Sequence, residues 1–368
     1  MINKTIFYNI LLIRIKISYL KASIKKLALT ILIAKRKLLL GGVIIFSPLS
    51  SVYGNTFMQM CESPTPSQRV TLQAIADAQS GGRDNVKINC QRLEEFNVKR
   101  GYGYSLRLGN SSITDLTPLR FFPDLEELTL SENNITDLTP LSQLYNLTHL
   151  NISGNPIDDI SPISDLTNLK NLKLYRIQGG VKNLKSIKNL TNLKILFIGK
   201  GFENLEALSS LKKLQYLAVL YNPIISDICT IKNLTLLERL VLHGTAVTDI
   251  NCLNGLKNIT KLSLLKTPVK DLSVISNYES LAYLDISETL VENIPNLKKL
   301  TNLKILYINN TKITDISGLH NPKMRMFSSR KTSLRWCSPK SISDIQKGVS
   351  CYEKTGELKS WWKRLLRM

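Results

Sequence analysis

The sequence predicts an α/β solenoid: an open horseshoe with a parallel β-sheet on its concave side, short 3₁₀ or turn segments on its convex side, and a helical cap at each end. Three observations carry this. A leucine-x-aliphatic pair returns about every 22 residues, at Leu106/Leu108, Leu128/Leu130, Leu150/Ile152, Leu172/Leu174, Leu196/Ile198, Leu217/Val219, Leu240/Leu242, Leu262/Leu264, Leu284/Ile286 and Leu306/Ile308. Units of that size cannot bury an apolar face alone and become stable by stacking. Most pairs are followed by a turn and an apolar-x-Asp-apolar segment, and the chain on either side of the array lacks the period.

Residues 1–54 read as a leader. They hold nine Lys or Arg and no acid, and Lys35-Arg36-Lys37 precedes an apolar run from Leu38 to Phe46 and small residues ending at Val52-Tyr53-Gly54. A charged region, an apolar core and a small-residue site in that order make a secretory signal. A retained membrane anchor is the other reading, since no charge interrupts Leu38 to Cys61 and such a run can span a bilayer. Its Gly, Ser, Pro and Asn residues weigh against that.

Residues 55–104 form the N-terminal cap. Thr65-Pro66-Ser67-Gln68 offers a capping box with Pro at the first helical position, and the helix it starts should stop at Gly81-Gly82. Asn85 to Cys90 is then expected to be a first strand.

The repeats occupy residues 105–322. In the third, Leu150 and Ile152 alternate with Asn151 and Ser153, so a short strand turns aliphatics inward and polar groups outward. Asn155 stands where the chain must turn, and its amide can satisfy backbone groups from coil to coil. Asn133 and Asn222 share that column, and Thr245, Thr267, Thr289 and Thr311 fill it later. The segment that follows, such as Ile135-Thr136-Asp137-Leu138 with Pro140 after it, is too short and Pro-interrupted for an α-helix.

Residues 323–368 form the C-terminal cap and a basic tail. Pro322 breaks the period, Ser338-Pro339 can start a short helix, and the chain ends in Trp361-Trp362-Lys363-Arg364-Leu365-Leu366-Arg367. Lys363, Arg364 and Arg367 could meet an anionic membrane or envelope surface; the alternative is a solvated helix whose aromatics pack on the last coil.

Repeats of this kind, with the tail Asn-x-Ile-x-Asp-Ile-x-Pro-Leu, closely resemble the bacterial leucine-rich repeats of internalin-like proteins, from about Gly103 to Leu319. The resemblance implies a non-catalytic protein that holds a protein ligand in its concave face. Two features of that family are missing: a Leu-Pro-x-Thr-Gly motif near the C-terminus and space after the repeats for an immunoglobulin-like module. Covalent anchoring to a cell wall is therefore not expected.

Charge and cysteine usage sharpen the reading. Of the net +21, the leader holds +9 and residues 323–368, with 12 basic and 3 acidic residues, hold another +9, so the repeats are close to neutral. A nucleic-acid footprint needs basic residues clustered along the concave strands. Arg107, Lys173, Arg176, Lys200 and Lys266 stand there among many neutral positions, and no nucleic acid is expected. All six cysteines follow the leader. Cys61 with Cys90, Cys229 with Cys252 and Cys337 with Cys351 are each close in one module, and three local disulfides suit an oxidising compartment, either periplasmic, secreted or at the cell surface. Buried free thiols are the alternative for Cys229 and Cys252. No Cys-x-x-Cys occurs and the three histidines are scattered, so zinc is not expected, nor any other cofactor. Gly-x-Ser-x-Gly, phosphate-loop and His-Glu-x-x-His motifs are absent. A monomeric, non-enzymatic binding protein follows.

Alternation also points to a candidate contact site. Tyr175, Phe197, Tyr216, Leu220, Tyr221, Val241, His243 and Leu265 fall on outward positions of neighbouring strands, near the coils whose spacing departs from 22 residues. Contiguous exposed apolar surface marks contact sites. Two other readings stay open: irregular coils that tilt these side chains inward, or a C-terminal tail that covers them.

Overall fold

The computed structural model describes residues 57–99, 104–178, 184–295, 299–314, 325–332 and 350–351, all within one compact unit, Tyr53–Met368. One parallel sheet runs through the array in strict sequence order: β1 (Tyr104–Arg107), β2 (Leu125–Thr129), β3 (His149–Asn151), β4 (Asn171–Leu174), β5 (Ile195–Ile198), β6 (Tyr216–Leu220), β7 (Arg239–His243), β8 (Lys261–Ser263), β9 (Tyr283–Asp285), β10 (Ile305–Tyr307), β11 (Met326–Ser328) and β12 (Ser350–Cys351). Register follows the leucines. Leu106 pairs with Leu128, Leu128 with Leu150, Leu150 with Leu172, and so on to Leu306 with Phe327. The coils of irregular length keep this register, with Leu172 opposite Leu196 and Leu196 opposite Leu217. The extra and missing residues are therefore absorbed outside the strands. β11 and β12 continue the sheet into the stretch expected to be cap.

The convex side is built from eight 3₁₀ turns among the described residues, from Thr117–Phe121 to Ser273–Asn277. In the first three, Pro118, Pro140 and Pro162 take the opening positions, where no backbone N–H is needed. The Asp of each apolar-x-Asp-apolar segment starts the turn. Asp115, Asp137, Asp159, Asp227, Asp249 and Asp271 each accept, through Oδ1, the backbone N–H two residues on, at 2.7–2.8 Å.

The turn column works differently in its two chemistries. Asn133 Nδ2 donates to Leu108 of the preceding coil and to its own Leu130, while its Oδ1 accepts from Ser111 and Ile113. Asn155 and Asn222 likewise reach back one coil. Thr267, Thr289 and Thr311 donate only to a carbonyl three residues back in their own coil. A hydroxyl on Cβ is too short to cross the gap of about 4.8 Å between strands, and Ile177 and Gly201 interrupt the column in the middle. A second asparagine column makes up the connection: Asn146, Asn168, Asn192, Asn258 and Asn302 each donate to a carbonyl of the previous coil.

The N-terminal cap corrects one expectation. Helix α1 (Pro66–Gln79) begins with the full Thr65/Gln68 capping box and is followed by Gly81 and Gly82 at positive φ. Asn85 to Cys90, expected to be a first strand, instead forms a turn and coil leading into helix α2 (Cys90–Lys99), whose first turn is held by Asn89 Oδ1 accepting from the Arg92 backbone. Gln91, Arg92, Leu93, Glu94 and Glu95 are good helix formers, and Leu93 gives the helix a buried anchor. Residues 57–62 are also helical. Phe57 meets Phe121 and Phe122 edge-to-face at 5.5 and 5.8 Å, closing the open end of the first coil. Thr71 Oγ1 donates to the Asp115 carbonyl at 2.6 Å and ties α1 to the same coil.

Two of the three expected disulfides are formed, Cys61–Cys90 and Cys229–Cys252. The second joins the 3₁₀ turns of adjacent coils, so free thiols there are excluded. Cys337, the helix expected from Ser338, and Lys363, Arg364 and Arg367 lie outside the described residues. Among the described residues no helix is long and apolar enough to cross a membrane.

Candidate functional site

Alternation in each strand leaves three outward positions: the residue before the first leucine, the one after it, and the one past the second aliphatic. On β5 to β7 these positions hold a second apolar cluster, separate from the solenoid core, made of Phe197, Tyr216, Ala218, Leu220 and Val241, with Tyr175 and Ile195 packed against it. Phe197 and Tyr216 meet edge-to-face at 4.8 Å, and the Tyr221 and His243 rings lie 4.4 Å apart. Lys173 Nζ sits 5.3 Å from the centre of the Phe197 ring, and the Arg239 guanidinium 5.7 Å from that of Tyr216.

The expectation of an open apolar surface is corrected by burial. Phe197, Tyr216, Leu220, Val241, His243 and Leu265 are buried, Phe197 at 2% and His243 at 1%, whereas Tyr175 is half-buried and Tyr221 is 53% exposed. Strands about 4.8 Å apart bring large outward side chains into lateral contact, and the stems of Lys173 and Arg239 lie across the rings. Burial lowers the His243 imidazole to about 4, so it is neutral at neutral pH.

Two residues past the second aliphatic of the pair, the backbone is left-handed in coil after coil: Asn110, Glu132, Gly154, Arg176, Tyr221, Gly244, Lys266, Glu288 and Asn310 have φ between 53° and 73°. Side chains there carry a conformational cost. Glu132 reaches across Gly154 to Arg176 at 3.0 Å, and Lys266 pairs with Glu288 at 3.5 Å. A Cβ on Gly154 would stand 2.7 Å from the Glu132 carboxylate. Gly154→Ala is therefore expected to cost about 1–2 kcal/mol through strain and displacement of Glu132. Arg176→Ala, which removes only an exposed ion pair, should cost less than about 1 kcal/mol; urea titration of both variants checks the order.

Toward the C-terminal coils the concave face turns polar. Asp285 Oδ1 accepts from the Ser287 backbone at 3.0 Å, Asn309 donates to Ser287 Oγ, and Ser328 Oγ donates to Asn309. Lys261 Nζ lies 4.6 Å from the centre of the Tyr283 ring. Burial raises the Asp285 carboxyl to about 6 and lowers the Lys261 ammonium to about 8. A carboxyl with a raised folded value favours folding only while protonated, so its contribution is complete below about pH 4 and is lost as pH rises through about 6. Asp285→Asn keeps an oxygen for the Ser287 N–H. It is expected to raise the urea midpoint at pH 7.5, with the gain vanishing at pH 4.

Two segments match family models, residues 104–157 a leucine-rich repeat and residues 279–321 a two-copy leucine-rich repeat. An internalin C2 of Listeria monocytogenes is 28% identical over 60% of this chain and 96% of its own, with a TM-score of 0.51. The fold is a leucine-rich repeat solenoid, similar to that of the bacterial internalins. A second Listeria monocytogenes internalin, inlF, shares the fold at 20% identity, covering 80% of this chain and all of the other with a TM-score of 0.52. A plant peptide hormone receptor, RGFR1, solved in complex with RGF2, matches at 22% identity and TM-score 0.52, over 70% of this chain and 45% of the receptor. No curated protein matches the sequence.

In this leucine-rich repeat solenoid the structure brings the eight expected contact residues together on β4 to β8 and their adjoining turns. It also adds Arg239, Lys261, Tyr283 and Asp285, which stand on the same face. Applying alternation to the residue before each first leucine would have found the first three, and Asp285 stands directly after its leucine. Among the described residues no three His, Cys, Asp or Glu side chains gather to hold a metal ion.

Proposed function

We propose that this is a non-enzymatic binding protein, working outside the cytoplasm as a monomer, whose concave face on β4 to β8 holds a protein ligand. The observation that carries the reading is the outward apolar cluster of Phe197, Tyr216, Leu220 and Val241, which lies apart from the solenoid core. Tyr175 and Tyr221 present its accessible edge. Tyr221 keeps a bulky side chain at a left-handed position where Gly or Asn is easier. The fold likeness to a receptor described in complex with a peptide hormone supports ligand capture. Disulfides and the leader of residues 1–54, removed on export in this reading, support an oxidising compartment.

The test is capture of partner from surface extracts by the purified protein. Tyr175→Ala with Tyr221→Ala should weaken capture by about 2 kcal/mol or more, as truncating hot-spot side chains does, with the urea midpoint unchanged. Phe197→Ala is the wrong probe, because Phe197 is buried and its loss disturbs the cluster itself. Deleting the chain after Cys351 should matter less. Capture that survives the double substitution but is lost with the tail would transfer the function to the basic segment with Lys363, Arg364 and Arg367.

A further inference from the structure

We propose that the segment held by this face is acidic: an extended stretch of a partner protein in which Asp or Glu alternates with aliphatic or aromatic residues. This rests on the concave-face reading and adds the chemistry of the partner. On β4 to β8 and the turn positions just past them, the outward residues include six cations, Lys173, Arg176, Lys200, Arg239, Lys261 and Lys266, and no carboxylate. Arg176 and Lys266 are engaged by Glu132 and Glu288 from flanking coils. At Lys173, Lys200 and Arg239 no carboxylate stands within ion-pair distance among the described residues. The accessible aromatic edge at Tyr175 and Tyr221 therefore stands beside the uncompensated cations Lys173, Lys200 and Arg239, and complementary potential is what selects a partner across such a surface.

The placement of the cations narrows the choice further. Lys173 and Arg239 already lie over the faces of Phe197 and Tyr216, so the negative faces of those rings are taken and a cationic partner gains nothing there. The chain's own tail is excluded as occupant on the same ground, since Lys363, Arg364 and Arg367 would meet like charge. Tyr175 and Tyr221 are the accessible rings among the expected contact residues, too few to stack a run of bases. Four strand spacings of about 4.8 Å are covered by about six extended residues at about 3.3 Å each.

The probes are three labelled eight-residue peptides with Leu and Phe at alternate positions and Glu, Gln or Lys between them, followed by fluorescence anisotropy at low and high salt. The Glu peptide is expected to bind at least tenfold more tightly than the Gln peptide, to weaken as salt rises, and to outbind the Lys peptide. Lys173→Glu with Arg239→Glu should lose tenfold or more for the Glu peptide. Lys188→Glu with Lys232→Glu, the same charge change on exposed convex positions, should not. If the reversal impairs folding, Lys173→Gln with Arg239→Gln serves in its place. Equal binding of the Glu and Gln peptides, no binding of either, indifference to the concave reversal, or tighter binding of a twenty-residue oligothymidylate overturns the proposal. The concave-face reading itself fails only if the Tyr175 and Tyr221 substitutions leave partner capture intact, so the two failures are distinguishable.

Discussion

Leu150→Ala is expected to destabilise the array by about 2–5 kcal/mol, while Asn151→Ala one residue away should cost less than about 1 kcal/mol. Leu150 is 2% exposed and stands in register between Leu128 and Leu172, so its side chain is shared by three coils. Truncation removes apolar contact on both sides and leaves a cavity that stacked, hydrogen-bonded coils cannot close. Asn151 points to the concave side, where its Oδ1 accepts only the nearby Ser153 N–H at 3.2 Å. In a solenoid, stability is a sum of coil terms and nearest-neighbour interfaces, so a defect in the third coil weakens its links to both neighbours. Urea titration followed by circular dichroism measures the contrast. Equal losses for the two variants would mean that the inward and outward assignment is reversed.

Opening the Cys61–Cys90 bond is expected to cost about 3–4 kcal/mol on the chain-entropy estimate for a loop of this length, with the bond spanning 29 residues. Its removal frees the helical stretch at 57–62 from α2, and Phe57 with it loosens from Phe121 and Phe122. The apolar end of the first coil then faces water, which is the exposure that terminal caps prevent. A Cys61→Ser, Cys90→Ser variant should therefore melt earlier and self-associate. Opening Cys229–Cys252, which spans 23 residues, should lower stability by a similar amount without self-association, because that bond crosses interior coils. Non-reducing peptide mapping should recover both pairs. Recovery of Cys61 and Cys90 as thiols, from protein taken out of its native compartment, would refute export.

The inward columns, the convex 3₁₀ turns, the capping box at Thr65 and the two disulfide pairs were all legible in the sequence. Each depends on spacing within one or two adjacent coils, and a period of 22 residues translates directly into a stack. The strand expected over Asn85 to Cys90 does not form; the helix from Cys90 to Lys99 was legible in the propensities of Gln91 to Glu95, and the structure adds the burial of Leu93. Threonine follows asparagine in the turn column of the sequence, yet reach between coils is a matter of side-chain length against coil spacing, and Thr267 bonds within its own coil.

For the candidate site the sequence by itself determined which face each residue takes, because alternation along a strand is local. It did not determine exposure. Phe197 and Tyr216 are outward by alternation and buried by contact with residues one coil away and with the stems of Lys173 and Arg239. The contacts of Lys173 and Arg239 with those rings and the raised Asp285 carboxyl likewise arise only when coils stand about 4.8 Å apart. Neighbours across the sheet are some 22 residues apart in the chain, so their sizes and charges meet in three dimensions and nowhere along the sequence.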